Sequence, residues 1–162
     1  MMVTAVIPVD KRKSKVFLEE GFAFEDYQLV FEKEEDAVSI PYDLDQLHFS
    51  PSRQGIRLKG CTLSLNREMF KNDAVFFDKL NSRMVSILNP ATGRGVEVGF
   101  PGFETVAFWT LYPEPAPYLC VEPWNGSGIY ENEDDQLSHR HHIQHLLPGD
   151  SHSYVMTIRI LG

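Results

Sequence analysis

Arg83-Met84-Val85-Ser86-Ile87-Leu88-Asn89-Pro90-Ala91-Thr92-Gly93-Arg94-Gly95-Val96-Glu97-Val98-Gly99-Phe100 carries the plainest fold signal in the chain. Residues 83–88 and 95–100 are short strand-like runs, and the five residues from Asn89 to Gly93 favour turns. A β-hairpin accounts for both the runs and the break between them. Working toward the N-terminus, residues 74–77 form a short apolar run directly after Asn72-Asp73, residues 66–71 suit a single helical turn, and residues 61–65 alternate. Residues 22–32 alternate as well, with Tyr27, Leu29 and Phe31 on one face and Gln28, Val30 and Glu32 on the other. Glu34-Glu35-Asp36 reads as a charged turn into residues 37–40, and residues 41–60 and 10–21 read as loops.

Toward the C-terminus, residues 106–110 form the next strand, and Pro113, Pro115 and Pro117 bar a ladder across the connection that follows. A further strand leads to Glu122, residues 125–152 are mostly loop, and residues 153–160 close the chain. In that last strand Tyr154, Met156, Ile158 and Ile160 face one way and Val155, Thr157 and Arg159 the other. No repeat, heptad or long helix is present. Short strands separated by turn-rich loops indicate an all-β protein built from antiparallel sheets.

The chain has 162 residues, which suits a single domain with a core of its own. Its 15 Lys and Arg against 23 Asp and Glu give a formal charge of -8, which speaks against nucleic acid and anionic membrane as partners. Cys61 and Cys120 both lie in apolar runs and read as reduced thiols packed as small hydrophobes in a cytoplasmic protein. Lys11-Arg12-Lys13 follows the mildly apolar residues 2–9 instead of preceding them, the wrong order for a secretory signal. No apolar run is long enough to span a bilayer.

Tyr118-Leu119-Cys120-Val121-Glu122-Pro123-Trp124-Asn125-Gly126 places one carboxylate at the tip of an apolar strand, where Pro123 is expected to stop ladder pairing and Asn125-Gly126 to turn the chain. Alternation sends Glu122 to the same side as Cys120 and Tyr118, with Leu119 and Val121 on the other. A carboxylate at the rim of a sheet, beside an indole able to stack on a flat apolar face, suits proton transfer with a small polyhydroxylated molecule. An ordinary strand-end acid in water is the competing reading, and only a pocket would perturb it.

His139-Arg140-His141-His142-Ile143-Gln144-His145 has imidazoles at spacings able to grip a metal, but with no nearby cysteine and Pro148-Gly149 soon after it reads as a solvated loop, and no metal is assigned. Lys11-Arg12-Lys13-Ser14-Lys15 reads as a solvated charge run, and Trp109 and the phenylalanines as core. There is no phosphate-cradling glycine loop, nucleophile elbow or paired-cysteine motif.

Phe70-x-x-Asp73-Ala74, Phe108-Trp109-Thr110, Ala116 through Trp124-x-Gly126, and Leu147-Pro148-Gly149-Asp150 together resemble an aldose 1-epimerase of the galactose mutarotase-like superfamily, more narrowly the branch typified by the lactose-operon X protein. Residues 24–29 also fit a strand of that family, so the likeness runs from about Phe24 to the C-terminus and corresponds to the C-terminal part of the family domain. Cys120-Val121-Glu122-Pro123-Trp124 is its most specific segment. The resemblance implies an antiparallel β-sandwich whose concave face binds a free hexose, residues 1–162 being one partial domain, and interconversion of α and β anomers without cofactor or metal.

In the mechanism that this implies, a glutamate takes the proton of the anomeric hydroxyl while a histidine protonates the ring oxygen, so the ring opens and recloses on the other face. Motif by motif, Glu122 matches the base, Asp73 matches a substrate-binding acid, and Trp124 is placed to line the sugar site. The family's acid is a histidine followed by proline ahead of the strand near Phe24, and this chain has no histidine before His48. Two functions stay open: an epimerase whose acid comes from another chain or a substitute residue, and a non-catalytic sugar-binding domain or inactive remnant. A sandwich short of strands is also expected to self-associate through uncovered edges.

Overall fold

The computed structural model describes residues 5–7, 19 and 21–162. The strands in chain order are β1 (Ala5–Ile7), β2 (Gln28–Val38), β3 (Tyr42–Asp43), β4 (His48–Phe49), β5 (Arg57–Ser64), β6 (Val75–Asp78), β7 (Met84–Leu88), β8 (Gly95–Gly99), β9 (Thr105–Trp109), β10 (Leu119–Trp124) and β11 (Thr157–Leu161). Short 3-10 turns occur at Phe24–Asp26, Arg67–Phe70 and Leu137–His139, and no α-helix forms among the described residues. One sheet has the order β1-β10-β9-β6 and a second β11-β8-β7-β2-β5, while β3 and β4 pair with each other. Every strand pairing within these sheets is antiparallel.

The β7–β8 hairpin forms as its residues dictate. Val85 pairs with Val98 and Ile87 with Val96, so four apolar side chains share one face. In the turn, the Asn89 side-chain oxygen accepts the Ala91 N–H at 3.0 Å and the Asn89 carbonyl accepts the Gly93 N–H at 2.9 Å. Gly93 takes a φ of 74°, a left-handed conformation that costs glycine nothing.

The inner faces of the two large sheets meet in one core. The first sheet supplies Phe77, Phe108, Leu119 and Val121, and the second Leu29, Phe31, Val85 and Val98. Phe31 of β2 presents its ring edge-on to Phe77 at 6.3 Å and to Phe108 at 6.1 Å, locking the sheets together. Each such ring contributes roughly 1.5–3 kcal/mol by leaving water. The alternating strands thus produce the antiparallel β-sandwich expected of them.

Several local expectations are corrected. The run Glu34-Glu35-Asp36 is not a turn: β2 continues through it, with its register against β5 shifting between Val30 and Glu35. Glu35 is buried, and its carboxylate accepts the N–H groups of Asn81 at 2.9 Å and Ser82 at 2.7 Å, so the acid closes the turn between β6 and β7. Phe24–Asp26 is a 3-10 turn, not strand, closed by the Asp26 carboxylate accepting the Ala23 N–H at 2.7 Å. Residues 41–60 are not all loop: they hold β3, β4 and the start of β5. Asp43 organises this segment, accepting the N–H groups of Asp45 and Gln46 and pairing with Arg53. The basic run from Lys11 lies outside the described residues.

β10 lies inside its sheet, between β1 and β9. Leu119 and Val121 enter the core, while the alternation sends Cys120, Glu122 and Trp124 to the outer face. Pairing does not stop at Pro123: it faces Val106, and Trp124 faces Thr105. The described part of β1 ends opposite Val121, so no described strand asks Pro123 for the N–H it lacks. Asn125 then closes the strand, accepting the Glu104 N–H at 3.1 Å and donating to the Gly102 carbonyl at 2.9 Å.

Candidate functional site

The outer face of the first sheet is built in rows set by register. Phe76, Ala107 and Glu122 stand side by side on β6, β9 and β10, and Asp78, Thr105 and Trp124 form the next row. Residues 41–50 fold over this face, tied by a bridge from Ile40 to Phe76 and another from Phe49 to Tyr130. Phe49, Phe76, Ala107 and Tyr130 make a second buried cluster there. Phe76 touches Phe49 and Trp124 with ring centroids 4.5 and 5.4 Å away.

Between the sheet and this cover lies a cavity of about 320 Å³. Tyr42, Phe49, Phe76, Trp109 and Trp124 line it with aromatic surface, and Asp73 and Glu122 supply the acids. Gly128 completes the wall, and a side chain there would press on the Phe49 ring at 3.2 Å. The size falls at the small end of ligand pockets, which run roughly 300–1,000 Å³, and suits a molecule of monosaccharide dimensions.

Asp73 is aimed by local structure. Asn66 caps the Arg67–Phe70 turn by accepting the Met69 N–H at 3.2 Å, and Asp73 donates its own N–H to the Phe70 carbonyl at 3.1 Å. Its φ of 78° is left-handed, a conformation that aspartate tolerates better than most residues. The carboxylate lands near Glu122. Burial raises the Glu122 pKa from its ordinary value, the Trp124 indole N–H works against the rise, and the Asp73 charge adds to it. That N–H is buried and reaches no full hydrogen bond with the protein, so it stands beside Glu122 with capacity left for an incoming acceptor. Burial and Glu122 together push the Cys120 thiol up to about 11, so it stays protonated at neutral pH. Cys120 and Cys61 lie on opposite sheets, both as free thiols.

A proton acceptor, a second carboxylate and flat aromatic panels in one half-dry cavity can hold a polyhydroxylated ring and move a proton on it. Glu122, Asp73 and Trp124, singled out separately along the chain, share this wall. Among the described residues, no histidine lines it. The run beginning at His139 is split: His139 pairs with Asp134 at 2.7 Å, His142 with Asp78 at 2.9 Å, and the His141 ring stacks on Tyr130. Trp109 is not core as expected; it points outward, opposite to Val106 and Phe108, which the alternation of its strand already implied. Tyr42 and Phe49 carried no such signal, because strands of two residues show no period.

The architecture defines a class: the chain has the galactose mutarotase-like fold. It superposes on the galactose mutarotase related enzyme of Lactobacillus acidophilus with a TM-score of 0.75 over 99% of this chain and 51% of that one, at 20% identity. A galactose mutarotase-like protein from Lactobacillus casei gives 0.67 over 99% and 52%, at 14% identity. In sequence, the chain is similar to the plasmid and chromosomal LacX proteins of Lactococcus lactis subsp. lactis. It is 30% identical to each over 151 residues, which covers 90% of this chain and 48% of theirs. It therefore spans about half the length of the curated relatives it matches. No protein-family model matches the chain. No helix among the described residues is long and apolar enough to cross a membrane.

Proposed function

We propose that the cavity binds a free hexose and that the protein acts as an aldose 1-epimerase, with Glu122 as the base. The observation that carries this reading is the joint placement of Glu122, Asp73 and Trp124 on one small aromatic-walled cavity. Glu122 takes the proton of the anomeric hydroxyl as the bond from the anomeric carbon to the ring oxygen breaks, and the ring oxygen gains a proton from an acid. The open-chain aldehyde rotates about its first carbon–carbon bond and recloses on either face, with the proton transfers reversed. Asp73 accepts hydrogen bonds from sugar hydroxyls, and Trp124 stacks on the apolar face of the ring. The acid is the component that the described lining does not supply as a histidine, so it comes from another chain or a substitute donor. Residues 1–162 act in this reading as a single mutarotase-like unit.

The same observation favours a second reading, a sugar-binding domain without turnover, in which both acids serve only as acceptors. Polarimetry of freshly dissolved α-glucose and α-galactose separates the two. Epimerisation faster than the buffer's own drift supports the enzyme. Drift alone, with sugar-induced shifts in an NMR titration, supports the binding domain. Neither effect removes the sugar from the account.

A further inference from the structure

We propose that Asp78, His141 and His142 bind one divalent transition-metal ion, of which Zn²⁺ is the best match, and that the ion clips the segment between β10 and β11 onto the first sheet beside the cavity. One potential ligand atom from each residue lies within 4.8 Å of the other two. The site is independent of the sugar reading: it lies in the row of Trp124, one row along from Glu122, and uses neither acid of the cavity.

Asp78 ends β6 on the outer face, with its side chain 8% exposed. His142 meets it through Nε2 at 2.9 Å. An ordinary aspartate–histidine pair explains that contact but not the arrangement around it. Successive side chains on an extended chain point apart. Here His142 adopts a φ of 54°, and the two neighbouring imidazoles lie with centroids 6.0 Å apart, near the same carboxylate. A left-handed conformation at a residue other than glycine costs energy and collects at functional sites. The surroundings hold it in place: the His142 carbonyl accepts the Gly126 N–H at 2.7 Å and the Gln144 side-chain N–H at 3.1 Å. The His141 ring is fixed by stacking on Tyr130 at 4.2 Å.

Two buried oxygens that act on one another lie in the same surroundings with hydrogen-bonding capacity to spare. Tyr130 is 6% exposed and its hydroxyl has no hydrogen-bond partner among the described residues, although the Asp78 charge acts on it. Glu133, with its side chain 10% exposed, acts on the same hydroxyl, and its Oε1 has no partner among the described residues. Native proteins rarely leave such groups unsatisfied. Water on a bound cation has two protons to give, one suited to Glu133 Oε1 and one to the phenol oxygen, which accepts as well as donates. Two imidazoles and a carboxylate form a borderline donor set suited to zinc and its neighbours, whereas calcium and magnesium prefer all-oxygen shells. Three protein ligands leave a position for that water. Metal binding takes the lone pair of His142 Nε2, so a proton on that atom moves to Nδ1 as the metal enters, and no oxidation state changes.

The test uses the full chain without an affinity tag. Zn²⁺ is titrated calorimetrically, and Co²⁺ serves as the optical probe, because a low-coordinate nitrogen and oxygen site gives it an intense visible band. One saturable equivalent of Zn²⁺ and a higher melting temperature with the metal are expected. His141→Ala removes an exposed ligand and spares the buried pair, so it should fold and bind at least ~100-fold more weakly, losing the Co²⁺ band. Asp78→Asn should do the same, and if it fails to fold, His141→Ala alone decides. A control lacking His139, His145 and His152 should bind as the wild type does. No saturable equivalent, unchanged binding in His141→Ala, or loss of binding in the control would overturn the site.

Discussion

Glu122 stands directly opposite Ala107 in the β9–β10 ladder, and Ala107 stands opposite Phe76 in the β9–β6 ladder. On the β9 side the carboxylate therefore has a methyl group and then a phenyl ring beside it, and it lines the cavity. This packing is the physical source of its raised pKa. For a carboxyl group raised in the folded state, stability is fully present below the unfolded value near 4.5 and is lost as pH rises through the folded value. Glu122→Gln should consequently melt higher than wild type at pH 7, with the gap closing below about pH 4.5. If the chain turns over sugar, the same substitution should reduce the rate by ~10²–10⁴-fold. Thermal melts across pH and polarimetry check the two halves. A variant less stable at neutral pH, or one with undiminished turnover, contradicts this account of Glu122.

Trp124→Phe isolates the indole N–H. That group favours the ionised form of Glu122, so its removal should move the Glu122 pKa further up, and the acid limb of any pH–rate profile should move to higher pH with it. Folding should be retained, since a buried donor without a full hydrogen bond is deleted along with its desolvation cost. Carbon-detected NMR titration of the glutamate carboxyl groups reads the shift directly. A downward shift would show that the N–H does not act on Glu122.

Asp73 separates charge from backbone. Asparagine tolerates the left-handed φ of 78° nearly as well as aspartate, so Asp73→Asn should keep the melting temperature while weakening sugar binding by roughly ten- to a hundredfold, the worth of hydrogen bonds to a charged group. Asp73→Ala should lose affinity too and also melt lower, because an ordinary side chain there costs about 1–2 kcal/mol. Calorimetric sugar titration beside thermal melts distinguishes the effects. Equal affinity in Asp73→Asn and wild type would remove Asp73 from the site.

The sandwich was legible because its strands carry a period of two: Leu29 and Phe31, Val85 and Ile87, Leu119 and Val121 all lie inside as alternation requires. Glu35 was not, since three consecutive acids look like a turn and its burial depends on Asn81 and Ser82, more than forty residues away. Trp109 was legible in principle, as the odd member of the alternation Val106, Phe108. Tyr42 and Phe49 were not, because the cover over the outer face is held by an aspartate network and two bridges instead of a repeating pattern. The nearness of Asp73 to Glu122 rests on the pairing of β6 with β9 and β9 with β10, a long-range register that no local pattern encodes.

The far edge of the second sheet is open on one side: β11 pairs only with β8, and among the described residues no strand lies along its other side. Ile158 faces Val98 and Ile160 faces Val96, so both isoleucines point to the core side of the sheet. They are nevertheless 55% and 65% exposed. Arg159, on the other side, is held by a two-point pair with Glu97 at 2.8 Å, which keeps the strand in register with its isoleucines presented. Covering each isoleucine is worth up to roughly 1.5–3 kcal/mol, and an unpaired edge adds backbone groups ready to accept a strand. The chain should therefore self-associate with rising concentration, seen as a growing mass in light scattering after gel filtration. Ile158→Lys combined with Ile160→Lys should return it to monomer while changing stability by no more than about 0.5 kcal/mol per site, as exposed positions do. A wild-type chain that stays monomeric at every concentration, or association unaffected by the two lysines, would show that this edge is not the contact.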